Sequence, residues 1–217
     1  MRGLTIKGLT NQLTGDQHGL LTISINFMSH ISTEELDARL EYISDAPKDR
    51  GELKMIVIRP RTNEREVLNT CHLSSEKGAE GDNWADGCWK KLPDGNPHPD
   101  VQLTLMNYRV LEVIEASDEK RALAGDNLCV DLDLSDVNLQ RGDRLKIGDS
   151  IIEISAVPHN GCRKFQARFG ADALAYVNSS RGKELHLRGI YARVVKDGVV
   201  TVGDAIEIVK AEDSASR

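Results

Sequence analysis

Basic charge is in deficit in this chain: 28 lysines and arginines stand against 34 acidic residues, a net charge of −6 over 217 residues. No basic stripe interrupts that balance, so a grip on nucleic acid through its phosphates is not expected. Aromatic residues are scarce at 4%, which argues against the stacking platforms that hold single strands. No apolar run approaches the roughly 18 residues of a membrane helix, and Met1–Thr10 has none of the apolar core of a signal peptide. Cysteine pairs at CxxC spacing are missing as well. Cys71, Cys88, Cys129 and Cys162 stand far apart, so no zinc site is expected. The chain reads as a soluble cytoplasmic protein whose thiols remain separate in a reducing compartment.

What is present is an ordinary globular balance, 40% hydrophobic and 29% charged, enough for one large domain or a domain with an extension. Leu20–Phe27 alternates as a strand. Ser32-Thr33-Glu34-Glu35 offers a capping box, and Leu36, Leu40 and Ile43 recur at helical spacing, so a helix is expected over 33–45. From Leu53 onward strands dominate: Leu53–Ile58, Val101–Met106 and Val110–Ile114 are apolar runs, and Leu128–Leu134 alternates with period two. Gly148-Asp149 and Asp197-Gly198 sit between alternating runs and read as hairpin turns. Arg141–Ile147 and Val202–Ile208 echo each other around a Gly-Asp pair, which is read as turn punctuation. Phe165, Phe169, Ala173 and Tyr176 share one helix face, which Gly170 should break. Many short strands with Gly-Asp turns make a mainly β fold, a barrel or sandwich. The expected organisation is an N-terminal strand-and-helix extension over 1–50, a β domain over 51–210 and a frayed tail over 211–217.

Cys162 differs from the other thiols in its neighbourhood. It follows Pro158-His159-Asn160-Gly161 and opens the expected helix, with Arg163 and Lys164 next and Arg168 one turn on. From Ile154 to Ala171 there are 18 residues without one carboxylate, in an acidic chain. A helix start and adjacent cations favour thiolate over thiol, and a thiolate is what soft metals and sulfur transfer require. The same amides and cations suit an anionic group such as a phosphate. The competing reading is a core cysteine beside a solvated basic turn.

The stretches Gly125–Leu128, Leu139–Gly148 and Gly161–Phe165 together resemble the MOSC family, domains named after the C-terminal part of molybdenum cofactor sulfurase. Arg188–Val194 and Asp197–Asp204 resemble that family's closing hairpin, and Lys77–Asp82 its glycine-rich turn. The resemblance covers residues 51 to 209. It implies a MOSC-type β-barrel with peripheral helices, acting in the cytoplasm in sulfur or molybdenum-cofactor (molybdopterin) chemistry. Cys162 falls at the signature cysteine, which would coordinate molybdenum or carry sulfur as a persulfide. If the protein is an enzyme, the resemblance implies a molybdenum-dependent oxidoreductase reducing N-hydroxylated small molecules, or a sulfur transferase. Its partners would be a sulfur donor or an electron-transfer protein. The alternative is a non-catalytic barrel that binds a small anionic ligand or a protein partner. Two departures stand out. Gly161 occupies a position that is often proline, and the N-terminal barrel of the amidoxime-reducing relatives and the pyridoxal-phosphate domain of the sulfurase are lacking. A stand-alone module is therefore expected.

Other positions carry more than one reading each. Asn127 meets a pterin edge or closes a turn; Asp82 faces a metal, braces a residue that does, or forms an Asx turn. Lys77 and Arg188 contact a phosphate or are solvated surface, as Arg163, Lys164 and Arg168 also could. His159 shares a proton with Cys162 or is an exposed loop residue. Cys71 and His72 are adjacent in a strand and point to opposite faces. The loop Asp82–Asp100, with Trp84, Cys88 and Trp89, reads as a lid because two tryptophans are costly to leave wet.

Overall fold

The computed structural model describes residues 30–210. The strand expected over Leu20–Phe27 and the tail 211–217 lie outside the described residues. Eleven strands follow in order: β1 Arg50–Ile58, β2 Glu66–Leu68, β3 Thr70–Ser74, β4 Gly78–Ala79, β5 Leu103–Asn107, β6 Leu128–Asp131, β7 Arg144–Ile147, β8 Ser150–Ile154, β9 Ile190–Lys196, β10 Gly198–Thr201 and β11 Ala205–Val209. Seven of them close a barrel in the order β1-β11-β7-β8-β9-β5-β6, with β6 returning to β1. Only the β5–β6 pair is parallel within it. β2 extends the sheet beside the end of β1, while β10, β3 and β4 form a second small sheet. Its Cys71, Leu73, Ala79 and Val200 are buried in the barrel's own core cluster.

Among the described residues seven α-helices lie outside the barrel: α1 Thr33–Ala38, α2 Leu40–Ser44, α3 Trp84–Gly87, α4 Tyr108–Ile114, α5 Asp118–Arg121, α6 Arg163–Asn178 and α7 Ser180–Glu184. They explain why β1 is apolar on both faces. Leu53, Ile56 and Ile58 face the barrel interior, whereas Met55 and Val57 join a second core under the helices with Phe165, Phe169 and Leu36. Elsewhere alternation holds, and β7 and β8 bury every second residue. Burying Phe165 and Phe169 contributes about 1.5–3 kcal/mol each. Among the described residues no helix is long and apolar enough to cross a membrane.

Local signals decide most elements. Ser32 Oγ accepts from the Glu35 amide while the Ser32 amide donates to Glu35, the reciprocal cap expected for α1. The expected 33–45 helix is two helices, interrupted at Arg39 with φ −102° and ψ 0°. Gly170 breaks α6 as anticipated, at φ 93°, which β-carbon-bearing residues rarely adopt. The Gly-Asp echoes are turns closed the same way: Asp143 Oδ2 accepts from the Gln140 amide at 3.0 Å and Asp204 Oδ2 from the Thr201 amide at 2.8 Å.

Three expectations are corrected. Val110–Ile114 is helical, within α4, because Asn107 caps it by accepting from the Arg109 amide at 2.9 Å. The strand from Leu128 ends at Asp131, although Leu132 and Leu134 remain buried. Asp197-Gly198 is not a hairpin: β9 stays in the barrel with β8 and β5, and β10 crosses to pair with β3. Asp197 anchors that crossing by accepting from the Ser75 amide at 2.8 Å.

Candidate functional site

A cleft of about 360 Å³ opens where the chain leaves β1, the turn enters β6 and the Cys162 loop meets α6. Its lining includes six cations, Arg59, Arg61, Arg65, Lys164, Arg168 and Arg188, and one carboxylate, Asp126. In a chain of net charge −6 this is a concentrated positive field.

One buried polar network underlies the wall. Arg59 grips Asp82 through Nε at 2.8 Å and Nη2 at 2.9 Å, and its own amide donates to the same carboxylate at 2.8 Å. Asp82 also accepts from the Trp84 amide at 2.9 Å and from Asn127 Nδ2 at 3.1 Å. These contacts occupy the roughly four lone-pair sites of a carboxylate, the Trp84 contact closing an Asx turn. Asn127 is fully buried; its Oδ1 accepts from Arg59 Nη2 and from Thr104, and its Nδ2 also donates to the Val57 carbonyl. Asn127 and Asp82 thus fix the wall from behind the cleft.

A second network is incomplete. Arg188 Nη1 donates to Asp126 Oδ1 at 2.9 Å and Oδ2 at 2.8 Å, and its guanidinium lies 5.0 Å from the Phe165 ring centroid. His159 Nδ1 points at Asp126 Oδ1 across 3.8 Å, too far for a hydrogen bond. Its ring packs against Tyr191, tilted by 42° with centroids 4.5 Å apart. Burial, then the charges of Arg188 and Arg59, hold His159 well below the usual imidazole value, so it is neutral. Four buried nitrogens lack a hydrogen-bond partner among the described residues: Arg65 Nε, Trp84 Nε1, His159 Nδ1 and Arg188 Nε. All four residues line this cleft.

The cations crowd one another. Burial, followed by Arg168 and Arg59, lowers Arg65 to about 10. No β-carbon stands at Gly125, where one would lie 2.6 Å from Arg65 Nε. That missing atom lets the guanidinium press against the turn into β6.

Cys162 is the N-cap of α6 and is exposed, whereas Cys71, Cys88 and Cys129 are buried. Partial burial raises its pKa, but the Phe165 and Lys164 amides, with Arg188 and Arg168, more than offset this and lower it. Burial raises Cys71, and raises Cys129 well above an ordinary thiol. Asn178 clamps the residue before Cys162: the Gly161 amide donates to its Oδ1 at 2.8 Å and its Nδ2 donates to the Gly161 carbonyl at 3.2 Å. A β-carbon on Gly161 would lie 2.7 Å from Leu174 Cδ1, and proline would lack the amide hydrogen. The departure from the usual proline therefore has a local cause.

Of the site residues expected from sequence, Cys162, Lys164, Arg168 and Arg188 come together in the lining. Arg163 is exposed and outside it, and Lys77 is exposed in the turn between β3 and β4, also outside it. The His159 side chain is only 8% exposed and packs against Tyr191, so it is not an exposed loop residue. Arg59, Arg61 and Arg65 were missed, although three arginines in seven residues after a strand were a visible signal. Asp126 and Tyr191 were missed too. The tryptophan loop forms one wall through Asn83, Trp84, Gly87, Cys88 and Trp89; Trp84 is buried, whereas Trp89 is 67% exposed. Among the described residues no three His, Cys, Asp or Glu side chains gather to hold a metal ion.

No curated protein matches the chain. The fold is similar to that of YuaD from Bacillus subtilis, with TM-score 0.53 and 15% identity, covering 75% of this chain and 97% of that one. It is also similar to YiiM from Geobacillus stearothermophilus, with TM-score 0.52 and 16% identity over 76% and 78% of the two chains. A crystal structure described as a hypothetical protein is similar at TM-score 0.50 and 21% identity, over 75% and 69%. The MOSC domain family model matches residues 98–207, which span β5 to β11 and include Cys162. The cleft is thus built around a cysteine inside the matched region, and the chain belongs to the MOSC domain family.

Proposed function

We propose that this cleft binds the molybdenum cofactor, with its phosphate held by the arginines and the Cys162 thiolate serving as a metal ligand. The observation that carries this reading is six cations against one carboxylate around a thiol of lowered pKa. The residues fit such a group. Arg65 and Arg168 suit a phosphate, since an anion would relieve the repulsion they meet from neighbouring arginines, and Lys164 lines the same cleft. The unpartnered Arg188 Nε and Trp84 Nε1 supply a charged and a neutral donor for the acceptor atoms of a pterin. A single thiolate suffices where the metal arrives already held by its own cofactor.

When bound, the cofactor supplies a metal centre that exchanges oxygen atoms and electrons with a substrate. The chain's own residues bind and orient it. Cys162 stays ionised because two amides and two guanidinium groups face it. Phe165 and Trp84 exclude water from the inner end of the cleft. A volume of about 360 Å³ admits a small molecule rather than a nucleic-acid strand. The activity that follows is reduction of a small N-hydroxylated substrate in a reducing cytoplasm, with electrons from a partner protein.

The exposure of Cys162 favours a second reading, in which it accepts sulfur as a persulfide from a donor protein. One comparison separates the two. Protein and its Cys162→Ser variant are purified from a molybdenum-replete host and assayed for molybdenum, pterin and cyanolysable sulfur. A metal ligand gives molybdenum in the wild type and pterin without full metal in the variant. A sulfur carrier gives cyanolysable sulfur in the wild type alone. Neither molybdenum nor sulfur in the wild type leaves a barrel that binds an anion without catalysis.

A further inference from the structure

We propose that His159 and Asp126 form a proton-coupled latch behind the anion site: when an anion binds beside Arg188, His159 takes up a proton and closes on Asp126. The inference rests on the anion-binding reading of the cleft. Three observations carry it. Asp126 is 1% exposed in its side chain and lies between two cationic or potentially cationic groups, paired with Arg188 at 2.8 Å and facing His159 Nδ1 at 3.8 Å. Both flanking residues keep a buried nitrogen without a partner among the described residues, Arg188 Nε and His159 Nδ1. Both also line the cleft, so a ligand there meets each of them.

The charges around His159 explain the direction. Arg188 before β9 and Arg59 after β1 repel an imidazolium, and Arg59 is already committed to Asp82. Tyr191 on β9 packs its ring at 42° to the imidazole, its phenol raised by burial, and Cys162 is the other titratable group on the same loop. Without a ligand, burial and the charges of Arg188 and Arg59 keep His159 neutral, as its lowered pKa indicates. An anion beside Arg188 cancels much of the repulsion and shares the guanidinium's donors. The Asp126 carboxylate, which has acceptor sites left beside its two contacts with Arg188, then draws His159 the remaining distance of about 1 Å to a hydrogen bond. The proton comes from solvent and sits on the imidazole. Since the bound state holds more protons than the free state, affinity must rise as pH falls toward the free-state pKa of His159.

Sulfate tests this, because it does not titrate in the relevant range. Calorimetric titration of the full chain between about pH 6 and pH 8 should show affinity rising as pH falls, by up to about tenfold per unit for one proton taken up. The heats in buffers of different ionisation enthalpy should report that uptake directly. In the Cys162→Ser background, which removes the thiol's own titration, the pH dependence should persist, and adding His159→Phe, which keeps a ring against Tyr191, should abolish it. Should the phenylalanine variant not fold, imidazole proton NMR of the wild type gives the same readout, and sulfate should raise the His159 pKa. An unchanged pH dependence in the double variant overturns the latch, as does its loss in Cys162→Ser alone. So does a His159 pKa that sulfate leaves in place. In these three cases the anion site itself stands. If the wild type binds no sulfate at any pH, both the latch and the anion-binding reading fall.

Discussion

The two buried ion-pair networks at the cleft differ in completion. Arg59, Asp82, Asn127 and Thr104 satisfy one another with hydrogen bonds of 2.8 to 3.2 Å. Arg188, Asp126 and His159 use the same residue chemistry, yet two of their nitrogens stay buried without partners among the described residues. A buried polar group left unmade costs about 1–3 kcal/mol, so a fold keeps such groups where something else completes them. The closed network sets the wall in place, and the open one is where a ligand has work to do.

The largest test of that contrast removes the centre of the closed network. Asp82→Ala leaves the Arg59 charge buried without its carboxylate and should destabilise the protein by about 3–5 kcal/mol in denaturant unfolding. A loss below about 1 kcal/mol would show that the network is not holding the wall.

A smaller effect concerns the thiols. Iodoacetamide should alkylate Cys162 at least about tenfold faster than buried Cys71 and Cys129 at neutral pH. The rate should rise with pH and level off below the pH at which an ordinary thiol does, because the thiolate is already populated. Mass-spectrometric mapping that finds Cys162 no faster than the buried thiols, in metal-free protein, contradicts this.

The smallest effect belongs to the open network. His159→Phe removes no hydrogen bond formed within the described residues and keeps the contact with Tyr191, so its unfolding free energy should stay within about 1 kcal/mol of wild type. A cost comparable to that of Asp82→Ala would erase the distinction between the networks.

How much of this was legible in the sequence follows the range of the signals. Cys162, Lys164, Arg168 and the break at Gly170 lie within nine residues, so helix phase alone brings the three side chains near one end of α6. The Gly-Asp turns and the Ser32 cap are equally local. Arg59 to Arg65 stand about a hundred residues away from Cys162, and barrel closure between β1, β6 and β11 brings them to the same cleft. No periodicity reports such a meeting. Val110–Ile114 was misread because a short apolar run fits a strand or a buried helix equally well; the Asn107 cap decided it. Asp197-Gly198 was misread because the turn signal gives no direction, and the partner of β10 is β3, more than a hundred residues earlier. Asn127 and Asp82 carried the right residue types for a site, but their contacts with Arg59 turn them into supports.

The central claim is that the cations lining the cleft hold the phosphate of the cofactor. Neighbouring Arg163 and Lys164 test it most directly, since Lys164 lines the cleft and Arg163 does not. Pterin and molybdenum per chain are measured in Lys164→Glu and Arg163→Glu purified from a molybdenum-replete host, each at wild-type melting temperature. The expected result is a fall of about tenfold or more in Lys164→Glu, the loss of one charge-assisted contact, with Arg163→Glu unchanged. Equal content in both variants and the wild type would contradict it.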